Sequence, residues 1–225
     1  MSPPDGDAMR QVLVRHGESV SNAAGRVQGQ AQVPLSSLGE RQAAAVATWA
    51  AGLVAADAID EVWSSPLRRA RQTADVIAAA LGLPVAVDDR LAELHAGIFE
   101  GHLWADLAVR FPAELAAWQA GDPDYVIPGG ESRGALATRG RAALESLALR
   151  PARTIVVVAH GGLLTAALGS LVGNADALLA AAVTRPFTRL PALANASLTL
   201  LRWPGPQLEA FNDTGHLAAV ASPGG

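Results

Sequence analysis

The 225-residue chain contains no cysteine. This excludes a thiolate nucleophile, a disulfide framework and cysteine-based zinc sites. Lysine is absent too, so all 17 of the residues counted as Lys+Arg are arginine. That removes the lysine of P-loop nucleotide sites and any Schiff-base mechanism. The five histidines are scattered, with no H-E-x-x-H pair, so no metal site and no cofactor are expected. Hydrophobic residues make up 50%, yet the most apolar region, Leu163 to Val183, is interrupted by Thr165, Ser170, Asn174 and Asp176. It reads as buried helix rather than a membrane span. Met1 to Met9 is polar and has no apolar h-region, so a cytoplasmic protein is expected. A formal net charge of -4 offers no general attraction to nucleic acid or membrane, so neither is an expected partner. Any bound anion must be caught by local arginines.

What is present begins with Leu13-Val14-Arg15-His16-Gly17-Glu18-Ser19. Gln11 to Val14 reads as a short buried strand that stops on an arginine and a histidine, with Gly17 allowing a sharp turn. Open α/β sheets place their ligand crevice at such strand ends. A histidine beside an arginine can attack a phosphorus whose oxygens the guanidinium neutralises. Downstream, Ser37-Leu38-Gly39-Glu40 fits a capping box before an alanine-rich helix. Ile59 to Ser64 reads as a strand, Ser65-Pro66 as the start of a helix running to Leu81, and Pro84 to Val87 as another strand. Asp88 to Gly130 is less regular, with Pro112, Pro123 and Pro128 forbidding one continuous helix; a cap over the site is the expectation. Gly134 to Leu149 resumes a helix, and Thr154 to Ala159 is a β-branched strand ending on His160-Gly161-Gly162. Ala196 to Trp203 and Leu208 to Phe211 flank Pro204-Gly205-Pro206 as a terminal hairpin. The alternation implies one domain over residues 1 to 225, with a mostly parallel sheet covered by helices on both faces, a three-layer α/β/α sandwich.

Three strands thus end on Arg15-His16, Ser64-Ser65 and His160, so their carboxyl ends can bring two histidines and several arginines to one rim. Arg15-His16-Gly17-Glu18-Ser19 with Asn22 resembles the signature of the histidine phosphatase superfamily, in its phosphoglycerate mutase and phosphatase branch. Ser64-Ser65-Pro66-Leu67-Arg68-Arg69-Ala70-Arg71-Gln72-Thr73-Ala74 is similar to that family's second arginine segment. Leu91-Ala92-Glu93 with Gly97 and Glu100-Gly101 resembles its acid segment, Pro128-Gly129-Gly130-Glu131-Ser132 a further stretch, and Val158-Ala159-His160-Gly161-Gly162 its second histidine. The blocks occur in the family's order from Val12 to Asn195.

The resemblance implies a phosphoglycerate mutase-like fold and a phosphatase acting on a small phosphorylated metabolite. His16 would become phosphohistidine. Arg15, Arg68 and His160, with Asn22 and the Gly161 amide, would hold the phosphoryl oxygens, and Gln28 and Gly29 would contact substrate. Glu93 would protonate the leaving alkoxide and then accept a proton from the hydrolytic water. No metal is required, because arginines supply the charge clamp. The family's dimers make a homodimer an option. Glutamine replaces an acid in Gln30-Ala31-Gln32-Val33-Pro34-Leu35, and Phe99 replaces a commoner tryptophan. A long mutase insertion is absent or short, which favours a phosphatase. Glu93-Leu94-His95 and Gly129 to Arg133 most resemble the actinobacterial glucosyl-3-phosphoglycerate phosphatases. Against the bland readings, a lone His16 would be a core histidine, Arg69 and Arg71 read as solvated, Glu100 competes with Glu93, and His95 and His102 read as specificity or structural residues. A phosphoglycerate mutase and a non-catalytic phosphate-binding module remain the alternatives.

Overall fold

The computed structural model describes residues 8–53, 58–172 and 192–220. Both chain ends and the second half of the apolar Leu163 to Val183 region, read above from sequence, lie outside the described residues.

Six strands form one mixed sheet: β1 (Arg10–Arg15), β2 (Glu61–Ser64), β3 (Val85–Val87), β4 (Thr154–Ala159), β5 (Leu198–Arg202) and β6 (Gln207–Asp213). Their order is β3-β2-β4-β1-β5-β6. The first four run parallel, and β5 and β6 add the expected antiparallel hairpin at one edge. Between them come α1 (Val20–Ala23), α2 (Ser37–Ala51), α3 (Arg68–Leu81), α4 (Leu107–Arg110), α5 (Pro112–Ala120), α6 (Arg133–Leu147) and α7 (Gly161–Leu171).

Side chains alternate across a strand, so the two faces of the central pair bury separate sets. Val12, Val14, Val156 and Val158 pack against Ala70, Ala74 and Ile77 of α3 and Val46 and Ala47 of α2. Leu13, Ile155, Val157 and Ala159 pack against Leu144 of α6 and Leu163 and Leu168 of α7. All six residues of β4 are buried, as a strand covered on both faces must be. The stretch from Asp88 to Gly130 holds 3-10 turns and the short α4 and α5. It closes a cluster of its own around Val27, Phe99, Leu107 and Ile127.

Two helix starts differ from the sequence reading. Ser36, not Ser37, caps α2 by accepting the Gly39 N–H. Helix α3 begins at Arg68, beyond Ser65-Pro66, and the Ser65 hydroxyl accepts the Leu67 N–H and meets His160 instead of capping it. Gly17 is needed for proximity rather than for a turn: a Cβ there would lie 2.5 Å from the Gly39 carbonyl oxygen. The start of α2 therefore presses directly on the backbone behind His16.

Candidate active site

The parallel register builds the site. Arg15 pairs with Ala159, so the next residues on β1 and β4, His16 and His160, leave the sheet side by side. Their ring centroids are 5.1 Å apart and both are buried. Ser64 pairs with Val158, which puts Ser65 at the end of the neighbouring β2.

His16 is held in one tautomer. Its Nδ1 lies 2.7 Å from the Gly17 carbonyl. A carbonyl only accepts, so the proton sits on Nδ1 and Nε2 keeps its lone pair. Burial, with the charges of Arg69 and Arg15 beside it, holds the imidazole well below its usual pKa and hence neutral at pH 7. Contacts to main-chain carbonyls fix the backbone that carries the ring. The strained Ala196, at φ 56, donates its N–H to the Arg15 and His16 carbonyls, and Asn195 Nδ2 donates to the His16 carbonyl at 3.2 Å. Sequence reasoning assigned no role to Asn195.

The arginine of α3 that reaches His16 is Arg69, not Arg68. Arg69 is fully buried, and its Nε–H donates to His16 Nε2 at 3.2 Å. Its other nitrogens donate to the carbonyls of Ala31 at 3.0 Å and Gly29 at 2.9 Å. Desolvation lowers its pKa to about 10, so it remains a cation. Arg68 is exposed, and its backbone N–H is anchored by Gln32 Oε1. The period of α3 explains the exchange. Arg69, Thr73 and Ile77 share the inward face, whereas Arg68, Asp75 and Ala79 are exposed. Gln32 thus ties the loop to the first amide of α3.

Arg15 donates to the Leu193 carbonyl, while its Nε is buried without a partner among the described residues. His160 Nδ1 is likewise buried and unpartnered. Burial and the neighbouring cations also hold His160 neutral. Two residues next to His16, one along the chain and one across the sheet, thus each keep an orphaned polar atom, and a buried polar atom without a partner is costly unless a ligand satisfies it.

Glu93 closes the pocket. Its carboxylate accepts the N–H groups of Gly162 and Leu163, each at 3.0 Å, and that of Leu94 at 2.8 Å. The first of these amides exist because α7 starts there with unsatisfied donors. The charge of Glu93 acts on both Arg15 and Arg69. The Gly130-Glu131-Ser132 stretch explains how the acid is held. Glu131 pairs with Arg139 at 2.6 Å, and Arg139 donates to the carbonyls of Arg90, Ala92 and Glu93. Neither brace was assigned from sequence. Glu100, the competitor to Glu93, instead accepts the amides of Gln30 and Ala96 and ties two loops together.

The remaining sequence candidates lie at the rim of this loop. Asn22 Oδ1 accepts from the Ser19 amide and from Asn195, which leaves only its amide nitrogen for a ligand. Gln28 Oε1 accepts from Ser19 Oγ at 2.7 Å. Gly29 is buried, with its carbonyl on Arg69. Gly161 opens α7 beside the Arg15 guanidinium. His102 stacks edge-on against Phe111; the His95 backbone N–H donates to Glu131 and its ring Nδ1 is buried without a partner among the described residues. No group of three His, Asp or Glu side chains among the described residues could hold a metal ion. No helix among them is long and apolar enough to cross a membrane.

The chain that carries this buried, neutral histidine, with Arg69 on its Nε2, matches one family model over residues 11–214, described as the histidine phosphatase superfamily, branch 1. The chain belongs to this superfamily. It is 37% identical to the glucosyl-3-phosphoglycerate phosphatase of Mycobacterium tuberculosis over 219 residues, 91% of each chain. It is 38% identical to a probable phosphoglycerate mutase GpmB of Photorhabdus laumondii over 216 residues, 93% of this chain and 95% of the other. The solved mycobacterial glucosyl-3-phosphoglycerate phosphatase superposes with a TM-score of 0.74 at 33% identity, covering 92% of this chain and 100% of the other. The histidine phosphatase is thus a phosphoric monoester hydrolase with the phosphoglycerate mutase-like α/β fold.

Proposed function

We propose that the protein hydrolyses small phosphate monoesters of the phosphosugar or phosphoglycerate type through a phosphohistidine on His16. The observation that carries this is a buried, neutral His16 whose neighbours Arg15 and His160 each keep an unpartnered nitrogen, Nε and Nδ1. The substrate phosphoryl group enters against Arg15, Arg69 and His160, which take up its oxygens. Arg69 Nε then gives up the His16 lone pair to phosphorus and turns its N–H to a phosphoryl oxygen. His16 Nε2 bonds to phosphorus as the ester P–O bond breaks, and Glu93, which takes up a proton when the phosphate dianion binds beside it, gives that proton to the leaving oxygen. The Glu93 carboxylate next takes a proton from water, whose oxygen attacks phosphorus and expels His16. Phosphate leaves and Glu93 is protonated again. The segment from Asp88 to Gly130 supplies Glu93 and acts as the cap that selects the leaving group.

The mutase-named relative supports one second reading, in which the phosphohistidine returns its phosphoryl group to the substrate. Incubation with 3-phosphoglycerate, with and without a bisphosphate primer, separates the two. Inorganic phosphate is the expected product, and 2-phosphoglycerate as the major product overturns the hydrolase reading. His16→Ala should abolish acid-labile labelling by a phosphoryl donor; full labelling of that variant overturns the nucleophile assignment.

A further inference from the structure

The hydroxyl of Ser65 sits between β2 and α3 yet caps no helix. It accepts the Leu67 N–H at 3.2 Å and lies 2.7 Å from His160 Nε2. Ser65 is fully buried and its own N–H is bonded to the Val158 carbonyl, so the residue is locked to the strand beside His160. We infer that Ser65 is a positioning residue that fixes the tautomer of His160, placing its proton on Nδ1 as a donor to the substrate phosphoryl group. The inference rests on the phosphatase reading for what Nδ1 meets, but its core claim concerns the resting protein.

Proton placement decides between the two tautomers. A hydroxyl has one proton to give and two lone pairs to offer. Leu67 N–H takes one lone pair. Among the described residues the only other partner of Ser65 Oγ is His160 Nε2. If Ser65 donates to Nε2, every group is satisfied, and His160 carries its proton on Nδ1. If His160 donates from Nε2 instead, the buried Ser65 proton has no acceptor. Nδ1 would then turn a bare lone pair toward an incoming phosphoryl oxygen, where two lone pairs repel. The first arrangement leaves one unpartnered atom, Nδ1–H, and that atom is the donor the site lacks until a phosphoryl oxygen arrives.

The test is a proton–nitrogen correlation spectrum of histidine-labelled protein, read through the couplings that separate the two tautomers, with His160 assigned by its absence from the His160→Gln spectrum. Wild type should show His160 as Nδ1–H, and Ser65→Ala should shift it toward Nε2–H. The kcat of Ser65→Ala on p-nitrophenyl phosphate should fall roughly 10²-fold, as for loss of one transition-state donor, with KM moving far less. Orthovanadate should bind more weakly in the same variant, and Ser65→Cys, which keeps a weak donor, should restore part of both. Wild-type His160 carrying its proton on Nε2 overturns the inference. So does Ser65→Ala with both tautomer and kcat unchanged. If Ser65→Ala does not fold, the wild-type spectrum and Ser65→Cys decide. Retained labelling in His16→Ala would sink the phosphatase mechanism and leave the tautomer result standing, so the two failures are distinguishable.

Discussion

Arg68 and Arg69 are adjacent in sequence and chemically identical, and the structure assigns them opposite fates. The pair therefore offers a sharp test. Arg69→Ala removes the Nε–H on His16 and the donors to the Gly29 and Ala31 carbonyls. Loss of one charged donor aimed at developing transition-state charge costs about 10³-fold in kcat, or about 4 kcal/mol. The buried Gly29 carbonyl would lose its partner as well, which costs about 2 kcal/mol of stability before relief of the guanidinium's own desolvation. Arg69→Lys should recover less than about tenfold, because an ammonium cannot span three acceptors in one plane. Arg68→Ala touches only an exposed side chain and should change stability by less than about 0.5 kcal/mol and kcat by less than about threefold. Steady-state hydrolysis of p-nitrophenyl phosphate with thermal melts of all three variants gives the comparison. A loss in Arg68→Ala matching that of Arg69→Ala would refute the assignment, as would an Arg69→Ala enzyme within tenfold of wild type.

Other perturbations follow from the same geometry. A Cβ at Gly162 would fall 2.5 Å from Glu93 Oε1, so Gly162→Ala should displace the acid and lower kcat by about 10²-fold. Rates on p-nitrophenyl phosphate, whose leaving group needs little protonation, should suffer less than on an alkyl phosphate. Arg139→Ala frees the carbonyls of Ala92 and Glu93; kcat should fall by about tenfold or more and stability by about 2 kcal/mol, measured by urea denaturation. His16 and His160 have folded-state pKa values below their ordinary 6.5. Below pH 6.5 the unfolded chain therefore binds protons that the folded chain refuses. Stability should fall with decreasing pH from that point, by up to about 1.4 kcal/mol per pH unit for each histidine, until the folded pKa is reached. Both imidazoles stay neutral through pH 6.5, so kcat/KM should show no loss there; a drop in activity centred on 6.5 would contradict the buried, neutral His16.

Much of this was written in local pattern. The β-branched run Thr154 to Ala159, the apolar run before Arg15 and the Pro-Gly-Pro turn each state their own structure, because a strand buried on both faces can be built only from such residues. Two strands ending on histidine then placed the site at one rim of a parallel sheet. Even the exchange of Arg68 for Arg69 was legible in the period of the helix that follows, since Arg69 stands four residues before Thr73 and eight before Ile77 on the buried face.

Other features had no local signature. That His16 and His160 touch depends on the register of two strands 144 positions apart. Ser65 reads from sequence as a helix cap, and only the packing of β2 beside β4 gives its hydroxyl to an imidazole instead. Asn195 and Arg139 act through backbone carbonyls, which every residue carries and no motif can flag, and Glu131 acts by holding Arg139. The sequence by itself determined which residue types could do phosphoryl chemistry and on which strand ends they stand. Tertiary structure decided which of them face the pocket, where each proton sits and what holds the acid, because those depend on distances between segments that the chain brings together only when folded.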